Sequence, residues 1–351
     1  MSKRPFTSSS AIPRTTRSMG SSSGFTLIEL MIAMLLGLIV IGGVISVFLA
    51  NQRTYRTNQA LGDVQDGSRV AFELMARDIR DAGLTGCGNA GRVANVLNNT
   101  GTDWWADWGN AVRGYGAGAG ADPALTVGTA ATNQVSGTDS LQLLGAADSG
   151  LSVAATPSST AANFKLNDTT SDLATGDVII VCDPDHATIV QITNYNNSNV
   201  TVVHNAGGST SPGNCSKGVG YPTLCTANGN GYQFGPNSQI FKLAAADWYI
   251  GTNPAGGRSL YRVDVSTSGG KPAATAQEMV RDVTAMNIRY HQAGGTSFVT
   301  AATIGAAVNW ATVDSVQVQL TLESVDKRAG TDIKAISRNF TATTTVRNRV
   351  Q

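Results

Sequence analysis

Residues 24–50 read GFTLIELMIAMLLGLIVIGGVISVFLA, an apolar run with a single charge, Glu29. A helix of this length spans a bilayer core of about 30 Å. A carboxylate inside such a segment is costly, so we interpret Glu29 as a functional residue. The preceding residues, 1–23, carry four Lys or Arg residues and no acidic residue. Because positive charge marks the cytoplasmic side, we expect everything after Ala50 to be exported.

The composition favours a loop-rich β domain outside the cytoplasm. The 351 residues include 39 Gly, only 14% are charged, and the net charge is +1. A net charge this close to zero does not indicate a protein that attracts nucleic acid. No phosphate-binding loop, GxSxG nucleophile motif or HExxH zinc motif occurs in the sequence. We therefore expect no enzyme, no cofactor and no metal.

The hexapeptide GFTLIE at 24–29 resembles the type III signal of type IV prepilins. The resemblance implies that a prepilin peptidase cuts between Gly24 and Phe25, and that Phe25 is then N-methylated. The apolar run would stay on the protein, anchor it in the inner membrane and later pack into a filament core. Glu29 would pair with the Phe25 amine of a neighbouring subunit and set the axial register, because a buried charge is costly unless it is paired.

Two other interpretations of the N-terminal region compete with this one. A secretory signal peptide would have a shorter apolar core, followed by a small-residue cleavage site that is missing here. A plain membrane anchor fits the length but leaves Glu29 unexplained. The start is also open, because Met19 would leave the leader MGSSSG, which lacks the Lys or Arg usual in such leaders.

The helix is expected to continue beyond the membrane, so that 25–50 is its membrane and filament-core half and 51–83 an amphipathic second half. Apolar residues recur at steps of three and four from Leu61 to Ile79, and no proline interrupts 25–82. Gly83 provides a C-terminal stop. Such a helix has roughly 58 residues and is about 85 Å long at 1.5 Å per residue.

Residues 84–351 are expected to form a β-rich periplasmic domain. Alternating apolar residues predict nine strands, at 140–144, 177–182, 188–193, 199–204, 239–250, 259–265, 285–291, 315–322 and 339–346. Segments 205–236 and 266–276 are rich in Gly, Ser, Asn and Pro and predict linkers. The expected class is α+β, with the long N-terminal helix packed on a C-terminal antiparallel sheet domain with long loops.

Several C-terminal segments are similar to PilW-type minor pilins. They are EMVRDV at 278–283, MNIRY at 286–290, WATVDSVQV at 310–318 and FTATTTVRN at 340–348, together with DIRDAGLTGC at 78–87. The resemblance implies the type IV pilin fold and a structural role in initiating pili at or near the tip, in support of twitching or adhesion. Implied partners are other minor pilins, the major pilin, the prepilin peptidase, the inner-membrane assembly platform and a tip adhesin.

This resemblance also implies a location and leaves two alternatives. The chain would cross the inner membrane once, with its N-terminus cytoplasmic and its C-terminal domain periplasmic, and later reach the pilus. J-type minor pseudopilins of type II secretion systems share much of the pattern and are the first alternative. A membrane-anchored periplasmic enzyme is the second, but it would need a catalytic cluster that the sequence does not supply.

The four cysteines, Cys87, Cys182, Cys215 and Cys225, all follow the apolar run, and none lies in a CxxC pair. Two disulfides in an oxidising compartment are therefore simpler than a zinc site. Four cysteines allow three connectivities. We expect Cys215–Cys225, since this short loop has the lowest closure cost. The remaining pair is then Cys87–Cys182.

Two further motifs each have two interpretations, and two histidines suggest no site. WWADW at 104–108 is either an exposed contact surface or an anchor that holds a loose loop on the core. DPDH at 183–186 is either a cation site or a turn in which proline supplies the bend. His204 and His291 lie too far apart in sequence to suggest a catalytic triad.

Overall fold

The computed structural model describes residues 24–88, 91–156, 158–207, 210–305 and 307–349. The predicted leader before Gly24, including Met19, lies outside the described residues. The chain divides into two units, Met1–Tyr55 and Arg56–Gln351. One long helix, α1 (Leu27–Asp81), contributes residues to both units.

In the first unit the apolar side chains of α1 are exposed on every side of the helix. Phe25 is 84% exposed and Leu38 68%, and the other large apolar residues up to Leu49 are comparably exposed. A helix that is apolar all round is suited to a membrane or to a bundle of packed helices. Within the described residues, α1 is the one helix that is long and apolar enough to cross a membrane.

In the second unit α1 buries one face. Its buried residues recur at steps of three and four and are Ala60, Val64, Ser68, Ala71, Met75 and Ile79. The helix ends at Asp81, and Gly83 adopts a φ of +73°, a left-handed conformation that suits glycine. The Gly83 amide then donates to the Leu144 carbonyl at 2.7 Å. The helix thus buries one face and ends at Asp81, two residues before the expected glycine stop at Gly83.

The second unit is rich in strands. In chain order the described strands are β1 (Val93–Asn95), β2 (Val112–Tyr115), β3 (Ser140–Ala155), β4 (Asn163–Leu166), β5 (Val178–Cys182), β6 (Ala187–Gln191), β7 (Asn194–Asn196), β8 (Thr201–Val203), β9 (Gln239–Thr252), β10 (Arg258–Ser268), β11 (Lys271–Arg281), β12 (Val283–Gln292), β13 (Val313–Glu323) and β14 (Ser337–Thr345). A short helix, α2 (Ala301–Ile304), lies between β12 and β13. The expected α+β class is confirmed.

Two long antiparallel strands, β3 and β9, form the axis of the larger sheet. They pair from Ser140 opposite Tyr249 to Ser152 opposite Gln239. At one end β2 flanks β3 and β10 flanks β9, whereas at the other end β4 flanks β3 and β5 flanks β9. The β3–β9 ribbon therefore belongs to both halves of the sheet. Strands β12, β13 and β14 form a separate antiparallel sheet.

The two ends of this ribbon support different cores. The first core packs the buried face of α1 against the three-stranded sheet and one end of the ribbon, with Met75, Trp248 and Tyr290 inside it. The second core lies among β4, β5, β6 and β8 and is centred on Phe164 and Phe234. The helix is thus carried by one half of the domain only.

All nine expected strands coincide with observed ones, but the prediction missed β1, β2, β4, β7 and β11. The linker predicted at 266–276 is wrong, because β10 and β11 form a hairpin there, turning at Gly269 and Gly270 with φ of +59° and +79°. Among the described strands β11 pairs only with β10, and Pro272 near its start is compatible with a sheet edge. In the described part of 205–236 no regular strand occurs.

Candidate functional site

The start of α1 carries a hydrogen-bonded cap. Thr26 immediately precedes the helix, and its hydroxyl oxygen accepts a hydrogen bond from the Glu29 amide at 3.3 Å. The same hydroxyl lies 3.4 Å from Glu29 Oε2, to which it donates. Threonine followed three residues later by glutamate is the spacing of a capping box. The Thr26-x-x-Glu29 spacing is visible in the sequence, although Thr26 was not among the predicted functional residues.

The candidate processing residues lie just outside the helix. Gly24 and Phe25 have no helical structure, and both are exposed. A Cβ added to Gly24 would meet no atom within 4 Å. Glu29 is exposed and sits in the first turn, where the helix dipole favours negative charge. The structure thus places an accessible Gly24–Phe25 bond, outside the helix, within a few residues of Glu29, the single charge in the apolar run.

At the other end of α1 a polar network fastens the helix to the sheet. Asp78 Oδ2 accepts hydrogen bonds from Trp248 Nε1 at 2.9 Å and from Arg262 Nε at 2.7 Å. Arg262 also pairs with Asp264 and lies 5.8 Å from the centre of the Trp248 ring. These groups come from α1, β9 and β10 and are partly buried. The network orients the last turns of the helix on the domain.

The disulfides add covalent links. Cys87, shortly after α1, is bonded to Cys182 at the end of β5 with a Cα–Cα distance of 5.8 Å. Cys215 is bonded to Cys225 across a loop, with a Cα–Cα distance of 5.0 Å. These are the two pairs expected from the low closure cost of the short Cys215–Cys225 loop. The first of them ties the chain segment leaving the helix to the larger sheet.

The tryptophan-rich segment 104–108 anchors its loop. It forms two short 3₁₀ turns, Trp104–Ala106 and Trp108–Asn110. Trp105 is only 9% exposed, and Trp104 and Trp108 are partly buried against the same apolar cluster. The anchor interpretation is therefore favoured over an exposed contact surface.

The segment 183–186 is the turn of the β5–β6 hairpin. The Asp183 amide donates to the His186 carbonyl at 2.9 Å, and Asp183 Oδ1 accepts from the amides of Asp185 and His186. Asp183 Oδ2 accepts from the Tyr232 hydroxyl at 2.8 Å. Asp185 pairs instead with Arg92. The carboxylates thus serve the turn and its neighbours, as the turn interpretation expects.

The other two histidines occupy separate environments. His204 is fully buried, stacks on Phe164 at 4.5 Å, and burial lowers its pKa to about 4. His291 lies in the other sheet, where its Nδ1 is 2.7 Å from Asp314 Oδ1, a contact that raises its pKa. Across the described ranges, no group of three or more His, Cys, Asp or Glu residues is arranged to hold a metal ion.

Two carboxyl groups lie buried together beside the β3–β9 ribbon. Asp122 accepts hydrogen bonds from the Ser140 hydroxyl, from Gln142 Nε2 at 2.7 Å and from the Ala124 amide at 2.9 Å. Asp247 is fully buried, and neither of its oxygens has a hydrogen-bond partner among the described residues. Burial and the nearby Asp122 charge raise the pKa of Asp247 well above its usual value. The environment of Asp247 therefore favours the protonated, neutral form of its carboxyl group.

Replacing Asp247 with Asn should make the domain more stable at neutral pH. Above pH of about 4 the unfolded chain loses the Asp247 proton but the folded chain keeps it, so folding binds a proton and stability falls as pH rises. The cost grows by about 1.4 kcal/mol per pH unit until the folded pKa is reached. Asparagine has a similar size and is neutral at every pH, so it removes this cost. Tyr115, Tyr249 and Tyr290 also face the pair but titrate at higher pH.

Urea unfolding of the full chain in detergent, followed by tryptophan fluorescence at pH 4 to 8, measures this difference. The stability gap between the Asp247→Asn variant and the parent should widen with pH. Asp172→Asn, at an exposed carboxyl, is the matched control. A constant gap from pH 4 to 8 would contradict a proton held by the folded state.

Two protein families match the two ends of the chain. The prokaryotic N-terminal methylation motif matches residues 19–45, which include Gly24, Phe25 and Glu29. PilW, the type IV pilus-assembly protein W, matches residues 247–349, from within β9 onward. No curated protein matches the chain. The matched C-terminal region contains Trp248 and Arg262 of the Asp78 network and all of the three-stranded sheet.

Proposed function

We propose, from the premise that this chain is a PilW-type pilin with a prepilin-type signal, that it is a minor pilin that helps to initiate type IV pili at or near their tip. Its role is structural. The signal and the apolar helix support anchoring in a membrane and association with a pilus. Its partners are other pilus components.

The proposed mechanism is assembly. A prepilin peptidase removes the leader after Gly24, and the new Phe25 amine is methylated. The helix then holds the subunit in the inner membrane, with the globular domain in the periplasm. At the assembly platform the apolar helices of neighbouring minor and major pilins cover the residues that are exposed on α1. Glu29 pairs with the Phe25 amine of a neighbour and sets the register.

The observation that supports a tip position is that the domain contains two separate hydrophobic cores, one at each end of the β3–β9 ribbon. The core that carries α1 occupies one end of the β3–β9 ribbon, and a second core with the loops of 205–236 is built on the other end. A subunit in the shaft must accommodate neighbours on every side. A subunit at the end of the filament has free space for this additional half, where it can contact other minor pilins or a tip adhesin.

Tip placement predicts few copies per filament. Deletion of this chain should lower the number of pili but leave the shape of the remaining pili largely unchanged. Twitching or adhesion should fall with the number of pili. Immunogold labelling of sheared filaments should place gold at one end. Dense, even labelling along the shaft would rule out the tip-initiator role. Loss of type II secretion with normal piliation would instead assign the chain to a J-type pseudopilin role.

A further inference from the structure

The solvent-exposed side of α1 in the second unit carries a regular polar seam. Six exposed positions opposite the buried face alternate at steps of three and four residues, and they are Asp63, Asp66, Val70, Glu73, Arg77 and Arg80. This spacing matches the 3.5-residue repeat of parallel packed helices, but five of the six residues are charged, so charge and not apolar burial would govern any pairing here. We refer to these six residues as the outer seam.

The charges of the outer seam are segregated along the helix. Asp63 and Asp66 occupy its first part, and Arg77 and Arg80 its last part. In the part of the chain that the structure describes, none of these four side chains forms a hydrogen bond or an ion pair, whereas Glu73 pairs with Arg69 at 3.1 Å. Asp63 and Arg77 are 14 residues apart, as are Asp66 and Arg80. Fourteen residues of helix rise about 21 Å.

We propose that the outer seam docks against the outer seam of a second copy of this chain, parallel to it and shifted along the helix axis by 14 residues. The parallel orientation rests on the proposed function, because two copies anchored by the same signal point the same way. In this arrangement Asp63 and Asp66 of one copy face Arg77 and Arg80 of the other.

The registers with a smaller shift each place at least one pair of like charges together. With no shift, each seam residue faces its own counterpart, so the two pairs of aspartates and the two pairs of arginines repel. A shift of seven residues brings Asp66 against Glu73 and Glu73 against Arg80, so one like pair offsets one opposite pair. The 14-residue shift gives two opposite pairs and no like pair. Exposed ion pairs contribute little energy individually, so the seam selects a register more than it adds affinity.

The preferred register differs from the one that two copies would adopt while both are anchored in the membrane. In the membrane the apolar runs at 24–50 hold two copies at similar depth, which brings the seams close to zero shift and makes them repel. Once one copy has moved outward by about 21 Å, the opposite charges meet. The seam therefore disfavours pairing before assembly and favours it after one copy has advanced.

Cysteine crosslinking between two differently tagged full-length copies tests the register. All four native cysteines are in disulfides, so an introduced cysteine is the only free one in each copy. One copy carries Gln59→Cys and the other Glu73→Cys, a pair that meets only at the 14-residue shift. In sheared filaments this pair should crosslink at least five times more than two Gln59→Cys copies do. In membrane fractions it should crosslink little.

Reversing the charges of the outer seam tests whether these charges cause the shifted pairing. Asp63→Arg with Asp66→Arg in the Gln59→Cys copy should lower the crosslink at least threefold. Adding Arg77→Asp with Arg80→Asp to the Glu73→Cys copy should restore it. Dominance of the unshifted crosslink, or no response to charge reversal, would overturn the proposal. So would a loss of pilus incorporation on charge reversal without any crosslink between copies, which would assign the seam to a different pilin.

The mature N-terminus of the same samples keeps this proposal separate from the proposed function. Mass spectrometry that finds Phe25 at the N-terminus and labelling of filament tips report on the pilin role, independently of any crosslink. Normal processing and tip labelling without the shifted crosslink would therefore refute the seam alone.

Discussion

Replacing Gly24 with Phe should leave the leader on the protein and abolish assembly into pili. The peptidase must bind the chain closely on both sides of the Gly24–Phe25 bond, and a bulky side chain before that bond would obstruct it. The fold itself should not change, because a Cβ at Gly24 meets no atom within 4 Å. The intact mass of membrane-extracted protein measures the outcome. Parent protein should begin at Phe25 with one added methyl group, and the variant should retain its leader.

Gly37→Ala is the matched control for this experiment. Gly37 also has open space around its Cβ position, but it lies well inside α1. This control should be processed like the parent. Removal of the leader from the Gly24→Phe variant would contradict the processing assignment, and a parent N-terminus located after Ala50 would contradict the prepilin interpretation altogether.

Replacing Glu29 with Ala should reduce incorporation into filaments at least tenfold and leave membrane insertion intact. Removing a charge from the apolar run favours insertion. In the filament the change would leave the Phe25 amine of a neighbour without its partner, and an unpaired buried charge costs several kcal/mol. Tenfold corresponds to about 1.4 kcal/mol, so this loss is a conservative expectation. Quantitative immunoblotting of sheared pili and of membranes measures both quantities.

Two further variants are needed to separate the role of Glu29 in the helix cap from the role of its charge. Glu29 contributes to the helix start through Thr26 as well as through its charge. Glu29→Gln preserves the capping-box pattern but removes the charge, so it should lose incorporation as Glu29→Ala does. Thr26→Val removes the hydroxyl but keeps the carboxylate, so it should largely retain incorporation. Normal incorporation of Glu29→Gln would refute the register role of the charge.

Elements with strong local periodicity were predictable from sequence. The buried face of α1 repeats every three to four residues, and β13 alternates buried and less buried residues along most of its length. The missed elements lack such a signal. Strand β4 has only four residues, and β11 is an edge strand with one buried residue and three alanines. Its pairing with β10 follows from the Gly269–Gly270 turn, whereas composition alone suggested a linker.

The same contrast applies to the candidate site. Gly24, Phe25 and Glu29 lie within six residues, so one short motif was enough to predict them together. Asp122 and Asp247 are brought together only by the pairing of β3 with β9, which places Gln142 opposite Asp247. For the tryptophan segment, both interpretations suited the sequence, and the burial of Trp105 distinguishes them. Long-range pairing is information that a local pattern does not contain.

The Cys87–Cys182 bond gives the domain a specific response to mechanical load. A pilus under tension pulls each subunit through its helix, and the pull enters the domain shortly after Asp81. There the chain is covalently joined to the larger sheet at the end of β5. The intervening segment spans a sequence separation of 95 residues and is closed into a loop by the bond. We expect that this loop cannot lengthen under force, so that load reaches β5 through the disulfide in addition to β9 and β10 through the Asp78 network.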